Sequence, residues 1–441
     1  MYKLYDIDSD QQWSREVNFI FERRSWKMKK LVALLLAAVM VLGMASAFAD
    51  TTELTLWSIA VESDSSYQSY IDAIAAFEAA HPDIKVNHET TQNEQYKTKI
   101  KAAMSAGTDL PDVFFTWGMS FLGDFVNAGR VLCLDEYYDQ YKDELAKNMC
   151  ANASYDGKLY GVPYTMSCVV LFANMDLLAK AGWDHIPETI EDMNKCCDDL
   201  KAAGIVPFGV SGKELWCLSE YLEPLMIKSV GTQKLIDLYE GRASWKDEDV
   251  VKAAQAFQDY VTNEYFDPNA AALGNDEVKT NFIAGKYAFY QNGSWNCGDI
   301  SKAENAASFK CGLFPVLNPA NAGLYELIGG PNNTLAVTAT TEHPAEAVTL
   351  AFELGRAMSD ADYKSGANLP CWSADPNAVV SDQVAQVVDI AGKATGMVLF
   401  GDNFLSADAA NTYLDYIGLL FAGDINANEF AEGLAKDLGG E

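Results

Sequence analysis

D-L-P-D-V-F-F-T-W-G-M-S-F, residues 109–121, reads as a strand that hands an aromatic side chain to a turn. Val113–Thr116 is a short β-branched and aromatic run, long enough for a buried strand. Leu110-Pro111 marks its start, because a proline cannot donate to a central ladder. Gly118 lets the chain turn after Trp117, and Ser120 is expected to cap a helix through Phe121–Val126. In open α/β sheets, ligands bind just beyond the carboxyl ends of strands. An indole placed there offers a flat platform for a ring with an apolar face and polar edges, such as a sugar. Trp117 would also serve as core filler beneath a loop, since large aromatics are mostly buried.

The neighbouring segments extend this pattern. Glu53–Ser58 alternates and reads as the first strand; Tyr70, Ile71, Ile74 and Phe77 then recur at helical spacing. Ile84–His88 reads as a second strand, and Tyr96–Ala106 as a helix stopped by Gly107. This β-α-β-α-β succession predicts a parallel, doubly wound sheet. Tyr155–Pro163 holds an Asp156-Gly157 turn between short apolar pieces, the mark of a tight hairpin. Met166–Ala173, Ile205–Val210, Lys286–Gln291, Gly312–Val316 and Leu335–Val337 read as further strands. Val250–Glu264, Pro344–Met358 and Ala427–Leu438 read as helices. No internal repeat or low-complexity linker interrupts the chain, so two lobes are expected to be interleaved rather than tethered.

A chain of 441 residues, 49% hydrophobic and 21% charged, is globular in composition and too long for one core. Its formal charge is −30, and because residues 1–49 carry seven Lys/Arg and five Asp/Glu, the remainder stands at −32. Such a field repels phosphate backbones and anionic membranes. It argues against a nucleic-acid partner, and against an anionic ligand unless a local basic pocket exists. Met28-Lys29-Lys30, the apolar run Leu31–Leu42 and Ala47-Phe48-Ala49 make a signal peptide at 28–49. The run is short for a membrane span. Residues 1–27 read as an upstream extension ahead of a start at Met28. The nine cysteines all follow the signal; their number is odd and no C-x-x-C occurs, so they do not read as a disulfide framework. No cysteine lies at the cleavage point to carry a lipid.

Catalytic signatures are missing. Gly204–Lys213 lacks the Lys-Ser/Thr a phosphate loop needs, no G-x-G-x-x-G follows a strand, and no G-x-S-x-G elbow exists. The four histidines are isolated, so neither a metal nor a cofactor is expected. What recurs is tryptophan at strand ends and loops: Trp57, Trp117, Trp216, Trp295 and Trp372. Together they fit an aromatic-lined cleft with polar neighbours for hydroxyl groups.

The sequence resembles the family-1 extracellular solute-binding proteins, the sugar-binding proteins of ABC importers that include maltose-binding protein. The pieces that carry the resemblance are L-T-L-W-S (54–58), A-F-E-A-A-H-P-D-I-K-V (76–86), L-P-D-V-F-F-T-W-G (110–118), Y-D-G-K-L-Y-G-V-P-Y (155–164), L-F-A-N-M-D-L-L-A-K-A-G (171–182), F-I-A-G-K-Y-A-F-Y-Q-N-G-S-W-N (282–296) and I-G-G-P-N-N (328–333). The resemblance implies a two-lobed, periplasmic-binding-protein-like α/β fold with the ligand between the lobes. It implies three crossings, near Thr165–Ser167, Glu326–Gly330 and Ser359–Asn368. Lobe one then comprises 50–166 and 327–362, and lobe two 167–326 and 363–441. Cleft aromatics fall on Trp57, Trp117 and Trp295, and polar contacts on Glu62, Ser167, Lys213, Asn296, Gly330 and Asn332. Asp402, in Phe400-Gly-Asp-Asn-Phe404, is the expected hydroxyl acceptor. The implied protein is an exported, monomeric binder of an oligosaccharide that serves a membrane permease by hinge closure and is not an enzyme. The alternatives are an exported glycoside hydrolase, with a carboxylate pair about 5–10 Å apart across the cleft, and a binder of a polyamine or metal.

Overall fold

A computed structural model describes residues 51–439, so the signal peptide read at 28–49 and the extension at 1–27 lie outside the described residues. By its contacts the chain forms a small unit, which takes 51–52 and 82–85 of the described residues, and a large unit of Glu53–His81 and Val86–Glu441. The described residues hold two large sheets, one in each lobe, and a two-stranded hairpin.

In the first lobe, β1 (Thr52–Ser58) alternates and buries Leu54, Leu56 and Ser58. The Tyr67–Ala80 helix turns Tyr70, Ile74 and Phe77 inward. After β2 (Ile84–Thr90), the Asn93–Ala106 helix ends at Gly107, whose φ of 71° closes it without a Cβ clash. β3 (Val113–Trp117) is buried throughout and runs parallel to β1, with Leu56 opposite Val113. Ser120 does not cap the following helix. It is the first residue of Ser120–Asn127; Met119 holds the cap position at φ 56°, and the Ser120 hydroxyl donates to the Phe404 carbonyl at 2.8 Å. The turn is tightened by Gly118 N–H donating to the Asn332 carbonyl and Met119 N–H to the Asn152 carbonyl. β4 (Ser154–Tyr155) and β5 (Lys158–Leu159) form the expected hairpin, with Asp156 and Gly157 both at positive φ. The hairpin leads to β6 (Val162–Pro163).

The second lobe is organised on β7 (Thr165–Asn174), ten residues long and buried at all but one position. β8 (Val206–Gly209), β9 (Tyr287–Gly293), β10 (Phe309–Gly312), β11 (Glu326–Pro331), β13 (Leu369–Pro370) and β14 (Gly396–Val398) complete its sheet, ordered β14-β11-β7-β9-β8 with β10 and β13 also on β7. β12 (Asn333–Val337) returns to the first sheet, ordered β2-β1-β3-β12-β6. The strand expected at Gly312–Val316 is displaced to 309–312, where Phe309 and Cys311 pair with Asn174 and Phe172; Phe314 is buried from the loop beyond. The Leu215–Val230 helix is buried on every side from Cys217 onward, wrapped by helices Glu248–Thr262 and Ala407–Ala422.

The chain passes between the sheets three times, through Tyr164, through Asn332 and through 366–368. The second passage, expected at Glu326–Gly330, lies at Asn332 because Gly329, Gly330 and Pro331 pair with Cys168, Ser167 and Met166 inside the second sheet. Gly329 is required there: its φ is 148°, and a Cβ would stand 2.2 Å from the Ser167 carbonyl oxygen.

Candidate functional site

The carboxyl ends of β1 and β3 in one lobe and of β9 in the other open onto a shared cavity of about 240 Å³. From the first lobe come the loop after β1, the first turns of the Asn93–Ala106 helix and Trp117. From the second come the first turns of the Leu215–Val230 and Asn275–Ile283 helices, the Trp295-Asn296 turn and Phe400–Asn403. The passages add Tyr164, Asn332 and Asn368 to the wall. Strands stop here and helices start here, so backbone N–H groups and short polar side chains point inward.

Tryptophans form the walls. Trp117 is wedged by Phe115 at 4.8 Å and Phe121 at 4.9 Å, both edge-on, which fixes its ring. Trp295 folds back over Gly293, where any side chain would collide with the indole, and stands 6.2 Å from Trp216 and 5.9 Å from Phe400. Asn296 is held by Asn292 at 2.8 Å and by the Gly293 carbonyl at 3.0 Å. Five buried polar atoms of lining residues have no partner: Trp216 Nε1, Asn93 Oδ1, Glu220 Oε2, Asn332 Oδ1 and Asn368 Oδ1. Each is a buried group at the wall whose hydrogen-bonding capacity is unused.

The charges divide into two groups. Around Asp402, burial raises the carboxyl's pKa and Lys97 partly offsets it. Burial pushes Glu220 and Glu223 well above the carboxylate range, with Asp402 adding to both; Glu220 lines the cavity and Glu223 lies behind it. The Gly401 N–H donates to Glu223 Oε1 at 3.0 Å and so places Asp402 at the cavity. At the other end, Lys279 donates to Asp299 at 2.8 Å. Burial opposes its charge, but Asp299, Asp276 and Asp64 outweigh it and raise its pKa. Asp64 itself is raised by burial and accepts the Val61 N–H at 2.9 Å.

Of the residues expected from sequence, Trp117, Trp216, Trp295, Asn296, Asn332 and Asp402 line this cavity. Lys213 lines an outer groove that continues from it past Trp216. Five lie elsewhere. Trp57 points out of the sheet under Lys99, whose Nζ is 3.6 Å from its ring centre. Glu62 is exposed although its loop forms the wall. Ser167 and Gly330 are spent on the β7–β11 ladder. Trp372 is core, donating its indole N–H to the Pro163 carbonyl at 3.0 Å. Sequence reasoning missed Asp64, Asn93, Lys97, Glu220, Lys279 and Asn368. A signal for some exists: Asn93 with Lys97, and Asp276 with Lys279, are polar pairs in the first turns of helices.

The family profile of the bacterial extracellular solute-binding proteins matches residues 60–364, most of the chain. The chain belongs to this family. Among relatives of this solute-binding protein is an ABC transporter extracellular-binding protein of Pyrococcus horikoshii, 25% identical over 308 residues, covering 68% of each chain. A multiple sugar-binding protein of Streptococcus mutans is 23% identical over 286 residues, covering 62% of this chain and 64% of its own. A structure from work on xylan utilization by Caldanaerobius polysaccharolyticus superposes with a TM-score of 0.84 at 30% identity, covering 88% of this chain and 100% of its own. The two-lobed α/β fold read from the sequence is thereby borne out.

Proposed function

We propose that this solute-binding protein captures an oligosaccharide in the cleft between its lobes and presents it to the permease of an ABC importer. The observation that carries the reading is the set of five unpartnered polar atoms beside three tryptophans. Three are amide acceptors on Asn, one is a carboxyl oxygen of Glu220 and one is an indole donor, a pattern suited to sugar hydroxyls above and below an apolar ring face. The relatives named for sugars and for ABC transport support the same reading. In this reading the protein is exported by its 28–49 signal, works as a monomer at the cell surface, leaves the sugar unchanged and closes about its three passages. Lobe one is then 50–166 with 327–362 and lobe two 167–326 with 363–441, save that β11 goes with lobe two.

A thermal-shift panel of neutral oligosaccharides tests this, beginning with xylan fragments because of the 30%-identical structure. A true ligand at 100 times its Kd adds about 2.7 kcal/mol of stability. Chromatography of the released sugar is expected to return it intact; steady release of shorter products transfers the assignment to a hydrolase.

A further inference from the structure

The cleft has two compartments, and Lys97 stands between them. The inner cavity encloses about 240 Å³ and the outer groove about 900 Å³. Pockets for drug-sized ligands span about 300–1,000 Å³, so the inner compartment alone is short of room for an extended chain. The two compartments share Gln92, Lys97, Glu214, Trp216, Asp402 and Asn403 in their walls. The Lys97 ammonium lies 5.4 Å from the centre of the Trp117 ring and 6.0 Å from that of Trp216. One ring belongs to each lobe, so the side chain spans the passage instead of lying along one wall. It is anchored by Glu94 Oε1 at 3.1 Å, one turn back on its own helix. Beyond it the groove offers Phe121 and Leu215 as apolar surface, with Lys101 and Lys213 at its edge.

We propose that Lys97 is a gate that sets ligand length. A short chain sits inside it; a longer one runs into the groove only by displacing the lysine from both rings. The Glu94 ion pair is partly exposed and the ring contacts are distant, so each is weak; with the attraction of Asp402 they hold the side chain until a ligand displaces it. Shortening residue 97 therefore favours long chains relative to short ones. This inference rests on the oligosaccharide reading of the site.

The test is calorimetric titration with the dimer through hexamer of whichever neutral oligosaccharide stabilises the native protein most. Lys97→Ala is expected to shift the ratio of dimer Kd to hexamer Kd about tenfold toward the hexamer. Lys97→Arg, which keeps the length, the charge and the ring contacts, is expected to keep the native ratio. An unchanged ratio in Lys97→Ala, equal loss at every length, or an equal shift in Lys97→Arg overturns the gate while leaving the sugar reading intact. Binding of no oligosaccharide by the native protein overturns both.

Discussion

Trp295 and Trp372 have the same side chain and opposite settings. Trp295 is half-buried, braced by Trp216 and Phe400, with one face free to the cavity. Trp372 is 4% exposed, bonded to the Pro163 carbonyl and packed edge-on to Tyr141 at 5.9 Å. Truncating a central aromatic anchor costs about 2–4 kcal/mol of binding, or roughly 30- to 1,000-fold in Kd. Emptying a packed core site costs about 3–5 kcal/mol of stability. Trp295→Ala is therefore expected to lose affinity with little change in unfolding, and Trp372→Ala to lose stability while affinity holds. Calorimetry and urea unfolding of the ligand-free variants separate them, and an exchange of the two outcomes reverses the assignment. The local sequences, Gly293-Ser-Trp-Asn and Pro370-Cys-Trp-Ser, put both residues at turns beside small polar groups. Nothing that short distinguishes a wall from a core, because the difference is made by Pro163 and Tyr141, far away in the chain.

The Pro344–Ser365 helix carries a buried carboxylate to the third passage. Asp362 is 1% exposed; Oδ2 accepts from Ser66 Oγ at 2.9 Å and from Asn368 Nδ2 at 3.3 Å, and Oδ1 has no partner. Burial outweighs these bonds and pushes its pKa up to about 6. An unfolded aspartate titrates near about 3.9. Between those values the folded chain keeps a proton the unfolded chain has lost, so stability falls as pH rises from about 4 to 6 and then levels. The difference corresponds to about 3 kcal/mol at pH 7. Asp362→Asn cannot ionise, so its stability relative to the native protein is expected to improve by up to that amount between pH 4 and pH 7. Urea unfolding across the range checks it; a difference that does not vary with pH would falsify the burial argument. In the sequence, Asp360 and Asp362 look alike. The first is paired with Lys364 at the surface and the second is sealed behind Ser66, and helical spacing alone does not announce that contact.

Considered as a whole, the molecule joins two sheets through three short passages, and residues of all three line the cavity: Tyr164, Asn332 and Asn368. In the proposed function a ligand touches the passages and both lobes, and so binds best where the lobes are close; in that reading occupancy is tied to closure. Hinge closure of periplasmic binding proteins is an established instance of such motion. Small-angle scattering is expected to show a smaller radius of gyration at saturation, with far-ultraviolet circular dichroism unchanged. An unchanged radius, with binding shown independently, counts against the hinge.

Most elements of the first lobe were readable from the chain alone, while the Leu215–Val230 helix that holds Trp216 was not. Strand runs, the left-handed stop at Gly107 and the Asp156-Gly157 turn depend on a few adjacent residues and on backbone sterics, which any local window contains. Trp117 and Trp295 were readable as candidates for the cavity wall for the same reason, since each follows directly from where a strand ends. The charged half of the site was not. With 62 acidic residues in the chain, no local feature marks Asp64 or Glu220 at the cavity, or Asp362 behind it. Their character comes from desolvation and from partners brought in by folding, and Lys97 owes its place between two lobes to Trp216, 119 positions away. Burial and long-range pairing are properties of the packed chain, so they exist only once the sheets and helices have closed on one another.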